Sequence, residues 1–420
     1  MGFAQGVSGL NASASNLDVI GNNIANSGTI GFKSGSVQFS DVYAGSRVGL
    51  GTQVAGVAQN FTAGAVQTSS RALDVAITNG DGFFRLASAG GEIAYSRNGQ
   101  FNMDKNGFIV NSAGLQLTGY PVGANGKVAG GSPVALQMPT ASMPPNSTQS
   151  IAAQFNLDSR SVLPTPPAVA LPFDSSDSAT YHYSNAVTVF DSLGNSHEVA
   201  TFFVKTAANT WDVYATADGK PLDTGGVLAT PPAKGTPIAK GVKFDTTGIL
   251  DPTTPAGGKM KFAGLDFTNG SAPMKFDMNI TGTTQFGNAN DVKKLTQDGY
   301  TSGVLTSYAI GQDGTVTGKY SNEQTKALGQ IVLSSFVNPN GLQSKGDNVW
   351  AETSASGQPL TGTPGAGTKM GALSSGALES SNVDLTAELV NLIIAQRTYQ
   401  ANAQTVKTQD QVMQTLINMR

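Results

Sequence analysis

The sequence predicts a mainly β protein with a long α-helix at each end, an α+β fold with nested, discontinuous β-domains. Two observations predict it. Both ends carry apolar residues at helical spacing, whereas the middle carries short apolar runs separated by Asn-Gly and Asp-Gly pairs, which favour tight hairpin turns. With 420 residues, the chain is long enough to bury roughly two or three separate cores.

The N-terminal segment, residues 1–30, carries the first helical stripe. Asp18 is the only charged residue before Lys33, and most residues outside the apolar stripe are Ser, Asn or Gly, so the intrinsic helix propensity is low. We expect this segment to become helical only when it packs against a partner surface. Its apolar stripe steps by three and four residues and comprises Phe3, Val7, Leu10, Ala14, Leu17 and Ile24.

The C-terminal segment, residues 377–420, carries the second stripe. It contains neither Gly nor Pro, so a long helix is permitted, and Ser381 with Asp384 three residues later is typical of a helix cap. A spacing of 3.5 residues held over several heptads predicts a coiled-coil seam. The stripe comprises Leu385, Leu389, Leu392, Tyr399, Val406, Met413 and Ile417.

We call the two stripes together the terminal seam. Because such a helix is far longer than the globular average, we expect the seam to pack against neighbouring copies of the chain. The alternative, in which both helices close back on their own domain, stays open.

Between the ends the apolar period changes to that of strands. Residues 187–190, 199–204 and 211–214 are separated by turn residues and predict a three-stranded meander. The composition predicts a linker at 31–70, an inner β-domain formed by 71–145 and 285–376, and an outer inserted β-domain at 146–284.

Composition and motifs argue against catalysis and against several classes of partner. A net charge of −3 with scattered Lys and Arg excludes a nucleic-acid surface, and no apolar run is long enough for a membrane span. No Cys is present, and the two histidines, His182 and His197, lack metal-ligand spacing, so we expect them to be ordinary exposed sheet residues. No spacing pairs carboxylates such as Asp174, Asp177 and Asp191. We therefore expect no catalytic residue, no cofactor and no metal.

Both ends resemble the signatures of one bacterial family, the flagellar rod, hook and hook-associated axial proteins. Short stretches inside the chain resemble the inner β-domain of that family. The terminal matches are residues 8–12, 16–26, 31–33, 377–379, 381–385, 388–390 and 396–402.

The resemblance implies a structural subunit that is exported unfolded by the flagellar type III apparatus. Outside the cell its copies would stack into a helical, tubular assembly in which the terminal helices form a coiled-coil layer. The implied partners are further copies of the chain, the rod and hook–filament junction proteins, and the hook cap. The long inserted region favours a hook subunit, which acts as a flexible joint between motor and filament. A distal rod or hook-associated junction protein is the first alternative, and an extracellular carbohydrate-binding or adhesive β-protein is the second.

Overall fold

The computed structural model describes residues 2–42, 49, 51–123, 126–163, 173–229, 235–365 and 369–418. Parts of the predicted linker (43–48 and 50) and the last two residues of the predicted C-terminal helix lie outside the described residues, as does Met1. The described chain is mainly β-strand, with α1 at Gly2–Ala25 and α2 at Leu385–Asn418. The predicted fold class, mainly β with a helix at each end, is confirmed.

The strands are numbered in chain order. The first ten are β1 (Gly35–Asp41), β2 (Thr52–Gln59), β3 (Val66–Thr68), β4 (Val75–Thr78), β5 (Phe83–Ala87), β6 (Ile93–Ser96), β7 (Asn102–Met103), β8 (Ile109–Val110), β9 (Gln116–Pro121) and β10 (Val134–Ala135). The next are β11 (Ser150–Asp158), β12 (Tyr183–Phe190), β13 (Ser196–Ala207), β14 (Thr210–Ala217), β15 (Lys220–Asp223), β16 (Val227–Leu228), β17 (Ala239–Lys243), β18 (Lys259–Leu265), β19 (Met274–Asn279), β20 (Thr284–Phe286) and β21 (Asp291–Gln297). The last are β22 (Leu305–Ile310), β23 (Thr315–Tyr320), β24 (Thr325–Ile331), β25 (Leu333–Ser335), β26 (Gln343–Gly346), β27 (Val349–Ala351), β28 (Leu360–Gly362), β29 (Ala372–Ser375) and β30 (Ala377–Glu379).

The chain divides into two compact units. Unit 1 comprises residues 1–140, 305–319 and 325–420, and unit 2 comprises residues 141–304 and 320–324. Residues 285–304, which the sequence assigned to the inner domain, lie in unit 2, where β20 and β21 both pair with β11. The other domain boundaries inferred from the sequence stay predictions.

Unit 2 is built around the predicted meander. Strands β12, β13 and β14 are consecutive and antiparallel, and Asp218 and Gly219 close the next hairpin with positive φ angles of 48° and 75°. Positive φ at both central positions is what a type I′ turn requires, and Asp-Gly is among the pairs that accept it. The core holds Phe155 and Trp211, and the Trp211 indole N–H donates to Gln285 Oε1 at 2.8 Å.

Unit 1 carries a second sheet, in which the path β22-β23-β24-β9-β5-β6-β27-β26 encloses a core around Phe84 and Phe101. A separate aromatic cluster of Phe83, Tyr95 and Trp350 lies beside it. Two short pairings, β3 with β30 and β4 with β29, join the segments that follow α1 to those that precede α2. These two pairings, each a separate two-stranded sheet, therefore hold the segments next to both terminal helices together in unit 1.

Both terminal helices are shorter than the sequence predicts. Residues 26–30 form turns after α1, and residues 377–379 form β30 instead of helix because they pair with β3. The cap of α2 is Asp384 and not Ser381. Its carboxylate accepts the backbone N–H groups of Thr386 at 2.9 Å and Ala387 at 3.1 Å, which satisfies two unpaired donors of the first turn.

Candidate assembly surface

The two terminal helices pack antiparallel within unit 1, along a stripe of small and polar residues. A Cβ added at Gly6 would lie 2.8 Å from Val406, so the absence of a side chain there permits close approach. Near it, Asn402 Nδ2 donates to Ser13 Oγ at 3.4 Å. The α2 side of this contact is Glu388, Ala395 and Asn402, spaced by seven residues. This contact stripe on α2 is therefore different from the terminal seam, although Val406 belongs to both.

Asn23 holds α1 to its surroundings near its C-terminal end. Its side chain is 1% exposed; the amide donates to Gly35 O at 2.8 Å and to Glu388 Oε1 at 3.2 Å, and its carbonyl accepts the Gly35 N–H at 2.9 Å. Strands β1 and β2 also pack on α1. The sequence of α1 is a weak helix former and needs a surface to pack against. In this structure, α2 and the β1–β2 hairpin of the same chain supply that surface.

The structure leaves the terminal seam uncovered over much of its length. Accessibility reaches 40% at Tyr399 and 69% at Ile417. The exposed members are Phe3, Leu385, Leu389, Tyr399, Met413 and Ile417. The half-buried members are Val7, Leu10, Ala14, Leu17, Ile24, Leu392 and Val406. A row of exposed large apolar residues on a helix is a mark of an interaction surface, so interchain packing of the seam stays a prediction that this exposure supports.

A groove of about 740 Å³ lies on the other side of the helix pair, between α1, the β1–β2 hairpin and α2. Its lining includes Ala12 and Val19 from α1, Val37 from β1 and Thr398 from α2. None of the terminal seam residues lines it. The hairpin and the seam therefore occupy opposite sides of the pair, and the hairpin does not cover the seam side.

A buried ion cluster joins the linker, the sheet and the segment before α2. Lys33 Nζ lies 2.7 Å from Glu379 Oε1 and donates to Thr62 O at 2.7 Å, while Arg97 lies 3.3 Å from Glu379 Oε2. Burial lowers the pKa of Lys33, although the Glu379 carboxylate opposes that shift. Removing one member of such a cluster leaves an unpaired buried charge, which is strongly destabilising. The cluster therefore fixes the position of the segment after α1 relative to the segment before α2.

Sequence reasoning missed this cluster. Lys33 and Glu379 both lie in the terminal stretches that carry the family resemblance, but they are 346 residues apart and no local spacing connects them. The only available signal was that each is a lone charge within an otherwise uncharged stretch.

The expectation that His197 is an exposed sheet residue is wrong. Its ring is 9% exposed, stacks on Phe267 at 3.5 Å between ring centroids, and lies between Asp218 at 2.7 Å and Asp191 at 3.4 Å. The turn before β13 folds Asp191 back beside the strand, which the strand pattern alone does not indicate. His182 is half-buried, with Nε2 2.8 Å from Val162 O.

These polar groups form no recognisable reaction centre. Asp191 accepts the N–H groups of Leu193 and Asn195 at 2.9 Å each, which makes it a turn-forming residue. Asp174 and Asp177 likewise accept hydrogen bonds within their own turn. Over the residues that the structure describes, no group of His, Cys, Asp and Glu side chains could hold a metal ion. Along the same residues, neither helix combines the length and apolar character that a membrane crossing requires.

Family models match four segments that together span most of the chain. The flagellar basal body rod protein model matches residues 5–33, and the D1 domain model of the flagellar hook protein FlgE/F/G matches 76–158. The D2 domain model of the flagellar basal body protein FlaE matches 156–300, and the C-terminal model of the flagellar basal body rod FlgEFG protein matches 374–419.

Full-length relatives decide the assignment. The chain is 47% identical over 423 residues to the flagellar hook protein FlgE of Escherichia coli (strain K12), with 100% of both chains covered. It is 48% identical to that of Salmonella typhimurium, again over the full length of both. The chain belongs to the flagellar hook protein FlgE family. The hook protein of Borreliella burgdorferi is more distant, at 33% identity over 99% of this chain and 98% of its own length.

Among solved structures, the hook protein FlgE2 of Helicobacter pylori is similar to 75% of this chain and 99% of its own, with a TM-score of 0.49 and 14% identity. The sequence-based prediction of a flagellar hook protein is confirmed by the family assignment. The hook is an extracellular part of the flagellum, so the predicted location is confirmed with it.

Proposed function

We propose that this chain polymerises through its terminal seam into the tubular hook, and that the tube transmits torque from the motor to the filament while it bends. The observation that carries the proposal is the exposed row of apolar residues on α2, in a chain whose full-length relatives are hook proteins. Taking such a side chain from full exposure to full burial contributes about 1.5–3 kcal/mol, and these side chains are about half exposed, so each gains roughly half of that on assembly. Repetition along two helices adds these gains together and favours assembly.

Bending requires two kinds of contact between copies. An apolar layer formed by the terminal helices resists separation, because exposing it to water is costly. Contacts between polar, Gly-rich surfaces of the β units tolerate sliding, because water replaces their hydrogen bonds at little net cost. On this proposal, the helices hold the copies together and the β units allow the tube to bend.

The proposal extends to the other partners. The rod and the hook–filament junction proteins bind the two ends of the tube, the hook cap directs addition of subunits, and the type III apparatus exports the unfolded chain. We further propose that the chain has no catalytic activity and binds no cofactor. The family is a structural one, which supports this view.

Electron microscopy of concentrated protein tests the proposal. We expect the unchanged chain to form curved tubes, and the double substitution Leu385→Ser with Leu389→Ser to remain monomeric. The matched control is Gln400→Ser with Gln404→Ser, which alters helix propensity in the same helix but removes no apolar surface. Tubes of normal appearance from the Leu385/Leu389 variant would refute the role of the seam.

A further inference from the structure

The helix pair has a second free surface, on the far sides of α1 and α2 from their mutual contact. Nine residues make two and a half helical turns, so a residue nine positions away lies on the opposite side of a helix. Asp18 is nine residues from Gly9, whose missing side chain faces Asn402 across the pair. Arg397 is nine residues from Glu388, which bonds to α1. Asp18 and Arg397 therefore lie on the two outer sides of the pair.

Both charges are exposed. Asp18 is the only charged residue of α1, and Arg397 is the nearest cation to the apolar first half of α2. Within the described part of the chain, neither side chain has an ion-pair partner. Two opposite charges of one chain thus face away from each other and cannot meet within it.

The two charges lie about one helical turn apart along the helix axes. Asn23 and Glu388 mark one level, because their side chains bond across the pair. Asp18 lies five residues back along α1, and Arg397 lies nine residues further along α2. Since the helices are antiparallel, both steps run in the same direction and leave the two charges offset by about four residues, roughly 6 Å. A second copy placed beside the first, in the same orientation and with an axial shift of about 6 Å, brings its Asp18 opposite Arg397.

The surrounding residues complement each other in size. With the same axial shift, Val390 and Ile393 on the outer side of α2 come opposite Ala25 and Asn22 on the outer side of α1 of the second copy. Val390 is 53% exposed and Ile393 is 51% exposed, whereas the two α1 residues are small and exposed. Large side chains against small ones permit the close helix approach that ridges-into-grooves packing requires.

We propose that the outer side of α1 in one copy docks on the outer side of α2 in the next, with Asp18 paired to Arg397. This inference rests on the proposed polymerisation and adds a contact distinct from the terminal seam. The contact is heterologous, because two different surfaces of the chain meet. Repetition of such a contact produces rings or open helical arrays, which is the geometry of a tube.

Charge reversal tests the contact. Asp18→Arg and Arg397→Asp each place like charges opposite each other, and we expect each variant alone to raise the critical concentration for polymerisation about tenfold at low salt. An equimolar mixture of the two variants restores opposite charges at every contact when they alternate. We therefore expect the mixture to polymerise nearly as well as the unchanged chain. Rescue by mixing also demonstrates that both variants fold.

Two further measurements sharpen the test. In 1 M salt the difference should shrink, because charges are then screened within about 3 Å. Because the chain has no cysteine, Asp18→Cys with Arg397→Cys should give a ladder of disulfide-linked multimers when polymers are oxidised, and unlinked chains when monomers are. Lys105→Asp, an exposed charge reversal in the turn between β7 and β8, is the control and should polymerise normally.

Normal polymerisation of either single variant at low salt, or a mixture as poor as its components, would overturn the docking contact. The outcome is separable from that of the proposed function. If the Leu385/Leu389 variant fails to assemble while the charge variants assemble normally, only the outer contact is wrong. If the Leu385/Leu389 variant assembles, the seam proposal is wrong, whatever the charge variants do.

Discussion

The core of unit 2 and the terminal helices use apolar residues in opposite ways. In unit 2, Phe155, Leu157 and Trp211 are fully buried among other apolar side chains of the same chain. On α2, Leu389 and Ile394 remain about half exposed. The contact between the helices consists mainly of small and polar residues, Gly, Ser, Ala, Asn and Glu388, with Val406 as a larger apolar member.

The difference shows which part of the chain is complete by itself. A β core that buries its large side chains has already gained most of its hydrophobic stabilisation. Helices that meet through small and polar residues have gained little, and their large side chains still face water. The first region is typical of an independently stable unit, and the second of a surface that gains its stability on assembly.

The same substitution, leucine to alanine, made once in each region tests the comparison most strongly. We expect Leu157→Ala to destabilise unit 2 by about 2–5 kcal/mol, because it leaves a cavity in a closed core. Leu389→Ala should change the free energy of unfolding of the monomer by less than about 0.5 kcal/mol, since the side chain is already exposed. Urea unfolding of dilute protein measures both, with the circular dichroism of the helices reporting on Leu389→Ala in unit 1. In a Trp350→Phe background, Trp211 fluorescence reports on unit 2 alone.

Equal losses from the two leucine variants would contradict the comparison. A large loss from Leu389→Ala in dilute solution would mean that α2 already buries its apolar side within one chain. A small loss from Leu157→Ala would mean that the core of unit 2 adapts to the missing volume.

Low pH also distinguishes the two regions, because it lowers the stability of unit 2 through Asp191. Burial opposes ionisation of Asp191, but hydrogen bonds from Asn195 and Asn269, with a further contribution from His197, outweigh burial and hold the pKa of Asp191 below its usual range. Because the folded-state pKa is lowered, the carboxylate stabilises unit 2 above the unfolded-state pKa of about 3.9. That contribution is lost as pH falls below this value towards the folded-state pKa.

We expect Asp191→Asn to destabilise unit 2 by about 1–3 kcal/mol at pH 7, since it disturbs hydrogen bonds to a charged group, and by less at pH 3. Urea unfolding followed by Trp211 fluorescence at both pH values measures the change. Asp291→Asn, on the exposed edge strand β21, is the control and should cost under about 0.5 kcal/mol. A loss from Asp191→Asn that is the same at both pH values would show that the carboxylate charge plays no part.

The features that sequence could predict are those encoded by local pattern. The meander of β12 to β14 follows from alternating apolar runs and turn residues, and both helices follow from their spacing and from the absence of Pro. The helix ends are less predictable. Residues 377–379 have helical composition, but pairing with β3, more than 300 residues away, makes them a strand.

The candidate surface was predictable in part for the same reason. Spacing locates the terminal seam, but it cannot distinguish that stripe from the neighbouring stripe at Glu388, Ala395 and Asn402 through which α1 binds. The second stripe is small and polar, so a search for apolar residues passes over it. The buried partners of Glu379 and the environment of His197 depend on contacts between distant segments, and no local pattern encodes them.

The smallest expected effect concerns the weak helix itself. Gly21 lies in the interior of α1, and a Cβ added there meets nothing within 4 Å, whereas a Cβ at Gly9 would lie 2.8 Å from the Asn402 side chain. Gly21→Ala should therefore stabilise α1 in the dilute monomer by up to about 1 kcal/mol, the intrinsic difference between the two residues in a helix. At Gly9 the clash offsets that gain, so Gly9→Ala should raise stability less. Helix content by circular dichroism, measured on both variants during thermal melting, checks the order. If Gly9→Ala stabilised α1 as much as Gly21→Ala does, α1 would not be held closely against α2, and close packing of the pair through small residues would have to be abandoned.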